Sequence, residues 1–177
     1  MTQTHHETAA GPVDAEAVRM LTVGHDDPRV QGLLDGLLEE YTERYGAEGA
    51  ANELARYPVS EFAAPRGRIV LAELDGGIVA GGALRPYDPS GEEHPDTAEF
   101  KRIWTSARHR RLGLGRRIMS ALENTARSTG YRDIILFTGP NQPEAVAFYE
   151  RIGYRRLDPA TIADLPYPSA IPFAHTL

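Results

Sequence analysis

The stretch "AEFKRIWTSARHRRLGLGRRIMSALENTAR" (Ala98–Arg127) runs from a strand pattern through a glycine-rich loop into a helix pattern. Branched and aromatic residues dominate its beginning, and Ile118, Leu122 and Ala126 recur at helical spacing after the glycines. The loop between them, "RHRRLGLGRR" (Arg108–Arg117), carries five arginines. A strand that turns into a helix through glycines presents unpaired main-chain N–H groups at the positive end of the helix dipole. This stretch therefore predicts an anion site.

The charge around this loop strengthens the prediction. Arg116 and Arg117 stand in the first helical turn, where cations oppose the dipole unless an anion binds there. The segment Glu99–Arg117 holds seven Lys or Arg and one Glu, whereas Asp35–Glu61 holds seven acidic residues and two Arg. The whole chain has a formal charge of −6, which argues against a nucleic acid as partner. The alternative is an ordinary glycine turn with solvated arginines.

Length and composition predict one globular domain. The 177 residues include no cysteine, which excludes disulfides and a cysteine nucleophile. Residues 1–15 are polar and aperiodic and are expected to form a mobile tail, and residues 16–177 the domain. The elements read β-α-(α)-β-β-β-α-β-α-β-β, which predicts an α/β fold with a mixed sheet. The strands at either end of the segment Thr97–Thr138 are expected to run parallel. No apolar run approaches a membrane span and the start lacks a signal-peptide pattern, so a cytoplasmic protein without a membrane partner is expected.

The glycine spacing distinguishes between kinds of phosphate loop. There is no Walker A run, and Ile118 occupies the place of the third glycine of a dinucleotide fingerprint. The pattern that fits is R-x-x-G-x-G, over Arg110–Gly115. About 25 residues later follows "NQPEAVAFYERIGY" (Asn141–Tyr154). Together with the hairpin "LAELDGGIVAGGALRPYD" (residues 71–88), these motifs resemble the GCN5-related N-acetyltransferase (GNAT) superfamily, in particular its small-molecule members, over roughly Arg68–Arg156.

The resemblance implies a single-domain GNAT fold whose central mixed sheet has about six to seven strands flanked by helices. It also implies that the anion is the pyrophosphate of acetyl-CoA, with no metal. The positions that it assigns to this co-substrate are Ile103, Trp104, Thr105, Arg110, Arg111, Leu112, Gly113, Leu114, Gly115, Arg116 and Asn141. For Asn141 a helix N-cap is the alternative role, and the two roles are compatible.

The residues available favour direct transfer. Without a cysteine or a G-x-S-x-G elbow, an amine is expected to attack the thioester in a ternary complex. By the resemblance, Tyr149 protonates the departing thiolate, and its neighbour Phe148 is then expected to face the core. A phenol keeps its proton at neutral pH and can therefore donate it. A packing role for Tyr149 is the alternative.

Glu99 is the candidate general base. Strand alternation would place Glu99, Lys101, Ile103 and Thr105 on one face, from which the carboxylate could relay a proton through water. A strand-end charge or a partner for Arg102 is equally compatible with this position. His109 is a second candidate for the base, but its side chain is expected to be solvated or to face phosphate.

The acceptor is expected to meet the acidic segment of the first helix. Glu40 and Tyr41 are the candidate substrate-binding residues, and they predict a small cationic amine. Two other functions stay open: a GNAT-like module that binds CoA without turnover, and a transferase acting on a protein N-terminus or lysine. A homodimer is possible, with the C-terminal strand as its route.

Overall fold

The structure is a computed structural model, and it describes residues 17–91, 94–162 and 165–177. The predicted tail, residues 1–15, lies outside the described residues. Seven strands form one sheet with helices on both faces, which confirms the predicted α/β class and the strand number. None of the helices in the described ranges is long and apolar enough to cross a bilayer.

The elements of the first half follow the sequence patterns closely. They are β1 (Arg19–Val23), α1 (Val30–Arg56), β2 (Arg68–Leu74), β3 (Gly77–Tyr87) and β4 (His94–Thr105). The β2–β3 hairpin turns at Asp75 and Gly76, which both have positive φ angles, as a two-residue connection needs. A single 3-10 turn separates α1 from β2.

The second half alternates helices and strands. Its elements are α2 (Leu114–Thr129), β5 (Asp133–Thr138), α3 (Pro143–Arg151), β6 (Arg155–Arg156) and β7 (Ile171–Thr176). The glycine predicted to end α2, Gly130, adopts a left-handed conformation with a φ of 97°. Its N–H donates to the last carbonyls of the helix, as a glycine cap does.

Helix α1 joins two helices that the sequence suggests separately. Gly46 has a φ of 76° and a ψ of 168°, which interrupt the helical geometry and kink the helix. The chain resumes helical geometry directly after Gly46. The kink leads the second part of α1 toward the end of β4.

The strand order is β1-β2-β3-β4-β5-β7-β6. Strands β1 to β4 are antiparallel neighbours, whereas β4 and β5 run parallel around the α2 crossover, as predicted. The last strand, β7, lies between β5 and β6 and pairs antiparallel with both. The C-terminal strand is thus an interior strand of the sheet, which weakens it as the route to a homodimer.

The sheet separates two apolar layers. On one face α2 buries Ile118 and Leu122 against the sheet, and on the other face α1 buries Leu33 and Leu37. Each such side chain contributes about 1.5–3 kcal/mol relative to exposure. These layers fix β4 from both sides, so its position relative to α1, α2 and α3 is rigidly set.

A β-bulge in β4 changes which side chains share a face. Arg102 has a φ of 58°, and the pairing with β3 skips one residue there. Lys101 consequently lies over the Tyr57 ring on the α1 face, whereas Ile103 packs into the layer of α2 on the opposite face. The expectation that Lys101 and Ile103 share a face is therefore wrong, because one extra residue inverts the alternation.

Strands β4 and β5 separate just before the bulge. Their pairing runs from Thr97 with Asp133 to Phe100 with Leu136, although β4 continues to Thr105. The strands therefore splay apart at one end of the sheet. Main-chain groups at the facing edge of β4 have no strand partner in this gap.

Candidate active site

A cavity of about 690 Å³ opens in the gap between β4 and β5. Its walls come from the end of β4, the glycine-rich loop, the first turn of α2, the end of β5, and helices α1 and α3. Small-molecule sites commonly fall in the range of about 300–1,000 Å³. The sheet thus places one sizeable site at the point where its central strands diverge.

The start of α2 forms the anion-binding part of this cavity. Gly113 has a φ of 75°, and no side chain caps the helix at this end. The N–H groups of the first turn lack helical partners, as at every helix start. An added Cβ on Gly115 would lie 3.3 Å from the Phe148 ring, so glycine keeps this passage open. Leu114, by contrast, is buried and anchors the turn.

Several arginines face the same cavity. Those that line it are Arg102, Arg110, Arg111, Arg116 and Arg151. Arg117 takes a different role, because its Nη2 donates to the Val18 carbonyl at 2.9 Å and ties α2 to the sheet edge. The basic loop therefore concentrates positive charge at a helix N-terminus that is free of side-chain caps, which suits a ligand with several negative charges.

Most of the residues predicted to hold the co-substrate lie in the cavity wall. They are Ile103, Trp104, Thr105, Arg110, Arg111, Gly113, Leu114, Gly115 and Arg116. Leu112 does not line the cavity and packs against the core instead. His109, expected to be solvated or to face phosphate, lines the cavity as well.

Asn141 lies outside the cavity wall. It is exposed, and its carbonyl accepts a hydrogen bond from Arg44 Nη1 at 2.9 Å. The cap position of α3 belongs to the next residue, Gln142, which lines the cavity. Gln142 Oε1 accepts from the Thr138 hydroxyl at 2.8 Å. Both roles predicted for Asn141 are therefore wrong by one residue, because Gln142 takes the cap position and lines the cavity.

Tyr149 lies in the wall of the cavity on α3. Its side chain is buried, and its ring packs at 5.5 Å from Phe173 and 6.0 Å from Tyr154. Burial raises the pKa of the Tyr149 phenol well above its ordinary value. The neighbouring Phe148, expected to face the core, packs against it and also lines the cavity.

Glu99 lies beside the cavity but does not line it. The carboxylate is almost fully buried and lies 2.7 Å from Arg85 Nη2 and 2.8 Å from Lys101 Nζ. Arg85 extends this network to Glu61 at 3.0 Å. Of the two readings of this position, the ion-pair partner therefore describes the geometry, although the partners are Arg85 and Lys101 rather than Arg102.

Lys101 is the member of this network that reaches the cavity. Its Nζ lies 3.7 Å from the centroid of the Tyr57 ring, which is a cation–π contact. Burial lowers the pKa of Lys101, and the adjacent Glu99 carboxylate opposes that shift. Lys101 was not among the predicted site residues, although strand alternation already places it on the same face as Glu99.

A second, smaller cavity of about 60 Å³ adjoins the first on its α1 side. Its lining comprises Tyr41, Glu53, Leu54, Tyr57, Phe100, Lys101, Arg102 and Phe137. Five of these residues, Tyr41, Phe100, Lys101, Arg102 and Phe137, also line the larger cavity. The two spaces thus meet at the bulge, one on the side of α2 and α3 and the other toward the end of α1.

The two predicted substrate residues occupy different settings. Tyr41 lines both cavities, and burial raises the pKa of its phenol. Glu40 lines the larger cavity, but its carboxylate already pairs with Arg44 at 3.0 Å and with Arg110 at 3.3 Å. Glu40 is thereby neutralised, so its charge does not by itself favour a cationic acceptor.

Comparison with known proteins agrees with this geometry. The model of the acetyltransferase (GNAT) family matches residues 30–154. An IAA acetyltransferase from Azospirillum brasilense is 26% identical over 134 residues, which cover 76% of this chain and 84% of that protein.

Solved structures share the fold. A GNAT-family acetyltransferase from Staphylococcus aureus has a TM-score of 0.67 at 15% identity, covering 89% of this chain and 99% of that one. A GNAT-family acetyltransferase from Elizabethkingia anophelis, solved with acetyl-CoA bound, has a TM-score of 0.60 at 15% identity and covers 92% and 99%. The family match spans well over half of the chain, and it includes the splayed strands, the glycine-rich loop and the helix that carries Tyr149. On these grounds the chain is an acetyltransferase enzyme that belongs to the GNAT family.

Proposed function

We propose that this enzyme transfers the acetyl group of acetyl-CoA directly to the primary amine of a small acceptor in a ternary complex. The observation that carries the proposal is one continuous cavity, which runs from the uncapped start of α2 to the Tyr149 phenol between the splayed strands. A smaller space joins it from the opposite side at the bulge. Two ligands can therefore meet at one place.

The first turn of α2 fits the diphosphate of acetyl-CoA. Its N–H groups are free donors, and Gly113 and Gly115 leave the approach to them open. Arg110, Arg111 and Arg116 add positive charge around the same point. These residues would hold the diphosphate, and bound acetyl-CoA supplies the thioester whose acetyl group is transferred.

The bulge and Tyr149 suit the reacting end of the site. Main-chain N–H groups of β4 beyond Phe100 that lack a strand partner can donate to the carbonyl oxygen, where negative charge develops. As the new C–N bond forms and the C–S bond breaks, the Tyr149 hydroxyl donates its proton to the sulfur, and the nitrogen, which loses its remaining excess proton on becoming an amide, returns a proton to the Tyr149 oxygen. The raised pKa keeps this hydroxyl protonated at neutral pH.

The amine must lose one proton to react. At neutral pH it arrives as an ammonium, and Glu53 contributes a carboxylate to the wall of the smaller cavity. A relay to Glu99, the candidate base, would pass through Lys101, because Lys101 lines both cavities and contacts Glu99 at 2.8 Å. This arrangement supports a small cationic amine as acceptor.

The test is release of free thiol from acetyl-CoA with a panel of acceptors comprising polyamines, amino acids, aminoglycosides and short peptides. Thiol release should depend on a small amine, and mass spectrometry should show that the acetylated product has gained one acetyl group. Acetyl-CoA binding without release for any acceptor would show a module that binds CoA without turnover. Release with peptides alone would show a protein-directed transferase.

A further inference from the structure

Only one of the two terminal nitrogens of the Arg102 guanidinium has hydrogen-bond partners. Its Nη2 donates to the main-chain carbonyls of Leu54 and Tyr57 at the end of α1. Its Nη1 is buried and has no hydrogen-bond partner among the described residues. The residue as a whole is 9% exposed, and the guanidinium also lies 5.1 Å from the Phe62 ring. The side chain is therefore held firmly while one of its donor groups remains unused.

An unused buried donor is costly. Leaving one unsatisfied costs about 1–3 kcal/mol, and more when the group is charged. Arg102 also holds a left-handed backbone conformation, with a φ of 58°, which is unusual for a long side chain. Such features persist where the surrounding structure enforces them, and they are concentrated at ligand sites.

Arg102 borders the site. It is among the residues that line both the large cavity and the small one. At about 60 Å³, the small cavity has space for a group of a few non-hydrogen atoms. Its walls come from α1, β4 and β5, whereas the proposed diphosphate cradle at Gly113 and Gly115 belongs to the large cavity alone. Arg102 is thus on the acceptor side of the bulge.

The neighbouring carboxylates do not form an ion pair with Arg102. Glu99 is paired with Arg85 and Lys101, and Glu53 lies 4.0 Å from a nitrogen of Arg56. No carboxylate of the described residues forms an ion pair with Arg102. A planar guanidinium with a free N–H group is well matched to a carboxylate, and charge-assisted bonds of this kind are the strong ones.

We propose that the acceptor amine also carries a carboxylate, as an amino acid does, and that this carboxylate binds Arg102 Nη1. The inference rests on the proposed acetyl transfer and narrows its acceptor to amines with an acidic group. The ammonium and the carboxylate would then meet opposite charges in one small cavity, from Glu53 and Arg102. Arg102 would thus bind the acceptor and select for its carboxylate, and it would take no part in the chemical step.

The experiment compares amino acids with the amines that their decarboxylation produces, at saturating acetyl-CoA. The wild-type enzyme should prefer the amino acid in kcat/KM by at least about 100-fold, because a site built to bind a polar group rejects analogues that lack it. The preference should collapse in Arg102→Gln and be partly kept in Arg102→Lys. In the control Arg56→Gln, which changes an arginine that lines neither cavity, the preference should persist. Equal or better turnover of the decarboxylated amines by the wild-type enzyme overturns the inference.

Binding is measured beside turnover, by calorimetry of the wild-type protein saturated with CoA. A carboxylate-dependent affinity in the absence of turnover supports the acceptor site and refutes the proposed transfer. If the amino acid and its decarboxylated amine bind with equal affinity, the acceptor site is refuted, whether or not turnover occurs. Because these comparisons use the wild-type chain, they decide the question even if loss of the bonds from Arg102 to Leu54 and Tyr57 prevents a variant from folding.

Discussion

Lys101 Nζ lies 2.8 Å from a carboxylate oxygen of Glu99, two residues back along β4. Both side chains lie on the α1 face of the sheet because the bulge begins only at Arg102. The contact joins a buried carboxylate to the one residue of its network that lines both cavities. This ion pair therefore connects the buried interior of the protein to the cavities of the candidate active site.

The first prediction concerns the stability that Glu99 supplies. Glu99→Gln leaves the cations of Arg85 and Lys101 without their buried partner, so the free energy of unfolding should fall by about 3–5 kcal/mol. Urea unfolding at neutral pH measures the change. Glu61→Gln is the matched control, because its side chain is 44% exposed and also pairs with Arg85; its loss should be at most about 1 kcal/mol. A Glu99 variant as stable as the wild type would contradict the network.

The second prediction separates the chemistry of Tyr149 from its packing. Tyr149→Phe keeps the ring against Phe173 and removes the proposed proton donor, so kcat should fall by about 100-fold or more. The Kd for acetyl-CoA, measured by calorimetry, should stay within a factor of about three, since uniform binding is retained. Tyr154→Phe is the control: it loses a hydrogen bond to Glu123 at 3.1 Å but lies outside the cavity wall. If both variants keep full kcat, Tyr149 has a packing role.

The third prediction is a loss of stability in alkaline solution. Burial raises the pKa of the phenols of Tyr149 and Tyr154 above their ordinary value of 10.0, and the Glu123 carboxylate adds to the effect at Tyr154. Above pH 10 the unfolded chain releases these protons while the folded chain retains them. The contribution is therefore complete below pH 10 and is lost as the pH rises further.

Thermal unfolding between pH 8 and 11 measures this effect. The Tm of the wild type should fall in the alkaline part of the range, and the double variant Tyr149→Phe, Tyr154→Phe should show a shallower fall. The other six tyrosines and the single lysine are present in both proteins, so the difference between the two curves isolates these two phenols. Parallel curves would show that the phenols titrate normally.

The fourth prediction distinguishes two glycines of the loop. Gly115→Ala would place a Cβ 3.3 Å from the Phe148 ring, inside the passage to the first turn of α2. Acetyl-CoA affinity should fall by about tenfold, or 1.4 kcal/mol, with little loss of stability. Gly113→Ala meets no atom within 4 Å, but its φ of 75° strains any other residue. It should lower the free energy of unfolding by about 1–2 kcal/mol.

Calorimetry with acetyl-CoA and urea unfolding on both variants provide the measurements. The expected pattern is crossed: the Gly115 variant is impaired mainly in binding, and the Gly113 variant mainly in stability. Equal losses of affinity without any loss of stability would show that φ at Gly113 imposes no strain.

Local patterns predicted much of the fold. The boundaries of β2 coincide with the predicted run, and the predicted parallel pair flanks α2. The interpretation of the loop also rested on local features, since glycine spacing, arginine density and the start of a helix are all contiguous in the chain. Apolar periodicity reports local structure well because each element buries one face.

The sequence says less about how residues from different helices and strands are placed relative to one another. The structure puts Gln142 rather than Asn141 in the cavity wall, and it puts Glu40 between two arginines from different elements. Arg102 was missed as a site residue because the bulge that directs it is set by the register of β4 on β3. Lys101 was missed because the strand pattern does not show which charged side chain reaches the cavity. Register depends on the packing of both faces and leaves no mark in the bulged segment itself.

By itself the amino-acid sequence determined the order of elements and the glycine-rich turn into α2, since these follow from contacts between residues close in the chain. Only the tertiary structure decided where Glu99 pairs, how Arg102 is held and which cavities adjoin β4. The reason is that these depend on one inserted residue in a strand, whose effect appears only when a neighbouring strand and the end of a distant helix are packed against it.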